Sequence, residues 1–204
     1  MAEKKKSVKS WKEKKWFEVY APPMFGGQKM GTVPADDPSK LIGRVFETTL
    51  GDLLQDYSKS HIKIYFQVTN VDGEKAKTSF IGHEIARDYL RAQIRRRTRK
   101  IDEITTVRTK DGNILRITSM AITLGKQQTS KVRAVRKAIA KVVNEKASER
   151  TLDQLVQEIV LGKVSADIHK EAKKFCPIKK VEVCKSKLLG HPQPPVQPSS
   201  GGAS

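Results

Sequence analysis

Two Asp-Gly dipeptides, Asp72-Gly73 and Asp111-Gly112, narrow the possible folds of this chain more than any other feature. Asp-Gly favours a tight hairpin turn, because glycine reaches positive φ without a Cβ clash. Each dipeptide joins two β-forming stretches, and helical spacing follows each pair. Upstream of the first, His61 to Val71 alternates: Ile62, Ile64, Phe66 and Val68 share one face, and Lys63, Tyr65, Gln67 and Thr69 the other. A second strand is predicted near Lys75–Ile81, then a helix from Glu84 to about Arg97. Around the second turn the strands are Ile101–Thr109 and Ile114–Leu124, followed by a helix from about Ser130 to Ala147. Apolar residues on both faces of Ile114–Leu124 predict a central strand. Hairpins with segregated helices imply an α+β protein whose sheet is mostly antiparallel and barrel-like, with basic amphipathic helices packed on it.

The flanks read less regularly. A short strand is expected over Trp16–Tyr20, with Trp16 part of the core. Four prolines and three glycines lie between Ala21 and Pro38, so a long loop is expected there. Thr151-x-x-Gln154 is a capping box opening a helix with Leu152, Leu155, Val156 and Ile159 at helical spacing, ending near Gly162. Ser165 to Phe175 predicts another helix, stopped by Pro177. Ile178–Val183 predicts a short strand. Residues 1–15 form a basic arm expected to be flexible, and 190–204, rich in Pro, Gln, Ser and Gly, a disordered tail. Residues 16–189 are predicted to be a single α+β domain.

Charge then limits the partners. The 204 residues hold 40 Lys+Arg against 22 Asp+Glu, a net charge of +18. So strong an imbalance repels itself and calls for a polyanion, nucleic acid before an anionic membrane. No apolar run approaches the roughly 18 residues a membrane span needs. Met1 to Trp16 is charged throughout, unlike the apolar stretch of a signal peptide, so a cytoplasmic protein is expected.

Enzyme motifs are missing where they can be checked. His83-Glu84-Ile85-Ala86-Arg87 begins like a zinc-protease helix, but Arg87 stands where the second histidine belongs. No phosphate-binding loop appears, since Gly125-Lys126 is followed by Gln127. The glycines Gly26, Gly27 and Gly31 lack dinucleotide spacing. Cys176 and Cys184 are the only cysteines and form no tight pair, so two reduced thiols are expected rather than zinc or a disulfide. No catalytic residue, metal, cofactor or small-molecule substrate is called for.

Basic residues form three clusters. In the arm, Lys4, Lys5, Lys6, Lys9, Lys12, Lys14 and Lys15 surround Trp11, whose indole could stack on an unpaired base or anchor the arm. On the helix from Glu84, Arg87, Arg91 and Arg95 recur every four residues opposite Ile85, Tyr89, Leu90 and Ile94. Arg96, Arg97, Arg99 and Lys100 continue the charge beyond it. Almost no acid shares that ridge, which suits phosphate better than a solvated face. The third cluster lies on the helix after Ser130. There Val132, Val135, Ile139, Val142 and Val143 oppose Arg133, Lys137 and Lys141, with Arg136 at the boundary and Lys126 and Lys131 preceding. Without a helix-turn-helix, zinc finger or zipper, dispersed basic charge fits docking onto folded RNA by shape.

The string Lys15-Trp16-Phe17-Glu18-Val19-Tyr20-Ala21-Pro22 and then Gly43-Arg44-Val45-Phe46-Glu47 resemble the archaeal and eukaryotic S3Ae family of small-subunit ribosomal proteins. So do Arg87-Asp88, Thr109-Lys110-Asp111-Gly112, Leu115-Arg116 and Lys131-Val132-Arg133-Ala134-Val135-Arg136-Lys137. The resemblance runs from roughly Lys4 to Leu189 and looks archaeal in type. It implies a structural, non-catalytic constituent of the small ribosomal subunit. Its partners would be small-subunit ribosomal RNA near the 3′ end and neighbouring platform proteins, with mRNA close by at its exit. A non-ribosomal RNA chaperone or initiation accessory factor is the alternative. The tail after Gly190 matches nothing in the family pattern.

Overall fold

The computed structural model describes residues 14–190. Contacts divide the chain into two compact units that meet in sequence between Arg95 and Arg96.

The first unit contains β1 (Lys15–Tyr20), β2 (Lys29–Ala35), β3 (Val45–Thr49), α1 (Leu50–Leu54), β4 (Ile62–Asp72), β5 (Lys75–Ile85) and α2 (Arg87–Gln93). Its strands run in the order β2-β1-β5-β4-β3, parallel only between β1 and β5. The hairpin after Asp72 closes as expected, with Asp72 paired to Lys75 and Gly73 at φ 61°. Along β4, Ile64, Phe66 and Val68 are buried while Tyr65 and Gln67 are not, the period of two read from the sequence. A register shift between Val68 and Asn70 then turns Val71 toward the core of Phe17, Val19, Ala35, Leu41, Val68 and Ala76.

Several expectations for this unit are corrected. Residues 29–35 are a strand and not loop, despite Pro34. β2 is an edge strand, where a residue without an N–H costs least. Trp16 is 57% exposed and not core. Alternation puts it with Glu18 and Tyr20, opposite the buried Phe17 and Val19. The helix expected from Glu84 starts only at Arg87, because Glu84 and Ile85 pair with Lys63 and Ile62 on β4. It ends at Gln93, with Ile94 extended, so it has seven residues. Barrel-like closure is not formed by the described strands: β2 and β3 each end the sheet of this unit.

The second unit contains β6 (Lys100–Arg108), β7 (Ile114–Thr123), α3 (Thr129–Glu149), α4 (Leu152–Val160), α5 (Lys163–Lys173) and β8 (Ile178–Gly190). Its strands are antiparallel in the order β6-β7-β8, so β7 is central, and six of its last seven residues are buried. The expected short strand at Ile178–Val183 extends to 13 residues. α3 packs on β6 and α5, and α5 packs on β8. Val132, Val135, Ile139, Val142, Val143 and Ala147 form the buried stripe of α3. Burying each of the valines and the isoleucine contributes about 1.5–3 kcal/mol relative to exposure. The second hairpin also secures α4: the Asp111 carboxylate accepts the Leu152 N–H at 2.8 Å, adding to the Thr151–Gln154 capping box.

Candidate nucleic-acid interface

Each basic cluster was read from spacing, and the fold treats each differently. Of the arm residues, Lys4, Lys5, Lys6, Lys9, Trp11 and Lys12 lie outside the described residues. Lys14 is half-buried and Lys15 is exposed where β1 begins.

The proposed ridge of Arg87, Arg91 and Arg95 does not exist as one helical face. Arg87 and Arg91 are exposed on α2, whereas Arg95 follows its end. Tyr89 of this helix stacks on His61, with ring centroids 3.9 Å apart. Tyr89 and Leu90 are half-buried and Ile94 is exposed, so the apolar side read from the sequence is only partly covered. The seven-residue helix is held by these contacts more than by its own length. His83 is buried in β5, so the apparent zinc-protease signature is never helical.

In the second unit Arg96, Arg97, Arg99 and Lys100 are exposed. Arg97 takes the left-handed conformation at φ 68°. Two of these cations are already engaged. The Arg99 guanidinium donates to the Gln127 carbonyl at 2.9 Å, and Lys100 pairs with Asp102 at 2.9 Å. The Arg99 backbone is tied down as well, because its N–H donates to the Thr123 hydroxyl at 3.1 Å. Lys126 and Lys131 are exposed on either side of the start of α3.

α3 gives the most coherent surface. Arg133, Arg136, Lys137 and Lys141 are exposed within roughly 140° of the helix circumference. Glu145 stands 3.8 Å from Lys141, while Arg133, Arg136 and Lys137 make no ion pair among the described residues. These three cations therefore stand on one helix without an ion-pair partner among the described residues. Guanidinium and ammonium groups so placed can grip phosphate oxygens.

Sequence reading missed the neighbouring wall. Lys137 and Lys141 border a groove of about 740 Å³ whose other side carries Lys170, Lys174 and the exposed Phe175. Asp167 and Glu171 partly balance it, Asp167 with Lys146 at 3.1 Å and Glu171 with Lys174 at 2.7 Å. The signal was present in the spacing of Lys163, Lys170, Lys173 and Lys174. What was missing was the packing of α5 on α3.

This unit holds two free cysteines, both with raised pKa. Burial pushes the Cys184 thiol up to about 12, and burial also raises Cys176. Both stay protonated and poorly nucleophilic near neutrality. Among the described residues no group of three or more His, Cys, Asp or Glu could hold a metal, and no helix is long and apolar enough to cross a membrane.

The model of the ribosomal S3Ae family matches residues 2–192. This chain belongs to the ribosomal S3Ae family. The family consists of ribosomal proteins, structural components and not enzymes. Similar proteins include the small ribosomal subunit protein eS1 of Desulfurococcus amylolyticus, 52% identical over 90% of this chain and 86% of its own length. The eS1 protein of Aeropyrum pernix is 50% identical over 91% of this chain and 88% of its own. That of Methanoculleus marisnigri is 44% identical over 92% and 97%. The S3Ae match thus spans both compact units.

Proposed function

We propose that the protein is a structural constituent of the small ribosomal subunit in the cytoplasm, and that it supports translation by binding ribosomal RNA. The observation that carries the reading is the exposed, uncompensated row Arg133, Arg136 and Lys137 on α3, in a chain of a ribosomal family. Arginine and lysine on a helix anchored by a buried stripe present phosphates with donors at a set spacing along its axis. Lys126, Lys131 and Lys141 extend this row. Arg87, Arg91, Arg95, Arg96, Arg97, Arg99 and Lys100 supply further contacts, as do Lys14, Lys15 and the arm before them. The partners are small-subunit ribosomal RNA near its 3′ end and neighbouring platform proteins, with mRNA nearby. Residues 16–189 act as one domain in this role. The names of the eS1 relatives support the subunit, and the resemblance seen in the sequence supports the platform position.

The test is sedimentation of the tagged chain with small subunits through a high-salt wash. Retention is expected of a constituent, and quantitative loss into the supernatant identifies an accessory factor instead. RNA crosslinked to the retained chain should map near the 3′ end of the small-subunit RNA. Crosslinks confined elsewhere would remove the platform assignment.

A further inference from the structure

The outer face of the β6-β7-β8 sheet carries a second cationic surface, away from α3. In antiparallel strands, residues directly opposite one another share a face. The register places Arg116 between Thr106 on β6 and Lys187 on β8, and Thr118 between Ile104 and Lys185. Arg108 lies opposite Ile114 on the same side. Arg108, Arg116 and Lys187 are exposed and have no ion pair among the described residues. Arg116 and Lys187 are therefore like charges directly across a strand pair, an arrangement that weakens a sheet. Farther along the same strands the charges are balanced, Lys100 by Asp102 at 2.9 Å and Lys180 by Glu182 at 3.0 Å. The imbalance is confined to one half of the face.

That half also exposes aliphatic side chains, Ile104 at 63%, Ile114 at 41% and Leu189 at 43%. No aromatic ring stands among these residues on which a base could stack. A phosphate backbone would satisfy the cations and leave the aliphatics facing charge. We propose that this half-face docks an acidic polypeptide segment bearing aliphatic side chains, supplied by a neighbouring protein of the ribosomal particle. Such a segment covers Ile104, Ile114 and Leu189 and neutralises Arg108, Arg116 and Lys187 together, the mixture of apolar core and arginine found at protein interfaces. The inference rests on the ribosomal reading above.

The experiment places photoreactive p-benzoylphenylalanine at Ile104 in the full chain, assembles it into subunits in cells, and irradiates the purified small subunit. The expected product is a ribonuclease-resistant adduct to another protein, whose crosslinked peptide holds more Asp and Glu than Lys and Arg. Adding Arg116→Glu with Lys187→Glu should lower adduct yield about tenfold through like-charge repulsion. Arg116→Lys with Lys187→Arg should keep at least half of it, which a general folding defect would not. An adduct to RNA, an adduct to a basic segment, or no adduct in subunits that contain the chain overturns the proposal. So does an unchanged yield in the double glutamate variant. Absence of the unsubstituted chain from the subunit fraction overturns the ribosomal reading itself and this inference with it.

Discussion

The two units begin from similar local ingredients and end with different helices. Each has a hairpin turned at Asp-Gly, and in each a basic segment with apolar residues at helical spacing follows. In the second unit that segment becomes α3, 21 residues long, with six buried side chains. In the first it becomes α2, seven residues with none buried. The difference lies in what competes for the residues. Glu84 and Ile85 complete the β4–β5 ladder, so their backbone groups are paired across strands and are not available to a helix. Nothing competes for Thr129 onward, and the α3 stripe has β6 and α5 to pack on. Four-residue spacing of arginine marks a helix face only where the apolar side has somewhere to go.

The strongest challenge to this contrast is at the cores. Ile139→Ala on α3, where Ile139 is fully buried, should cost about 2–5 kcal/mol in urea unfolding. Leu90→Ala on α2 should cost about 1 kcal/mol, because Leu90 is only half-buried. Equal losses would mean that α2 is anchored as deeply as α3.

A second measurement sharpens the contrast on the surface. Changing Arg133, Arg136 and Lys137 together to Gln should lower the salt slope of RNA binding by up to about 2.7 units, if each cation releases one counterion from a duplex-like site. Gln keeps helix propensity, so the melting temperature should hold. Arg87→Gln with Arg91→Gln removes two cations, and the slope should fall by up to about 1.8 units. An unchanged slope in the α3 variant, or a larger drop in the α2 variant, would move the main RNA contact to the first unit.

The smallest expected effect is a difference in pH response. In the first unit the Lys29 ammonium, through its hydrogen bond, holds the Glu18 carboxyl below its ordinary 4.5, and the Ser58 N–H does the same for Asp56 below 3.8. Carboxyls lowered in the folded state contribute stability above those ordinary values, and lose it as pH falls through the folded ones. In the second unit Cys184 is raised from 9.0 to about 12, so its contribution is complete below 9.0 and lost as pH rises toward 12. Hydrogen exchange should thus show amides of the first unit loosening sooner on the acid side. Cys184→Ser should flatten part of the alkaline decline. Faster acid exchange throughout the second unit would erase the distinction.

Much of the strand pattern was legible because it depends on neighbours in sequence. Both Asp-Gly turns, the alternation of β4, the buried stripe of α3 and the capping box at Thr151 appear where spacing put them. The basic face of α3 was legible for the same reason. β2 was hidden by proline and glycine, because pairing with β1 and not propensity makes it a strand. Trp16 was misplaced although alternation alone put it opposite Phe17; its place at the head of a strand suggested core, and the strand face decided.

By itself, then, the sequence determined the hairpins, the long helices, the excess of positive charge and the family, since each is written in nearest neighbours or in residue counts. Tertiary structure decided which segments the ladders claimed and which cations were left without a carboxylate. It alone set Arg116 across from Lys187, and brought Lys170 and Lys174 to the groove beside Lys137. Those positions depend on strand register and helix packing, which join residues far apart in the chain and leave no local periodicity to read.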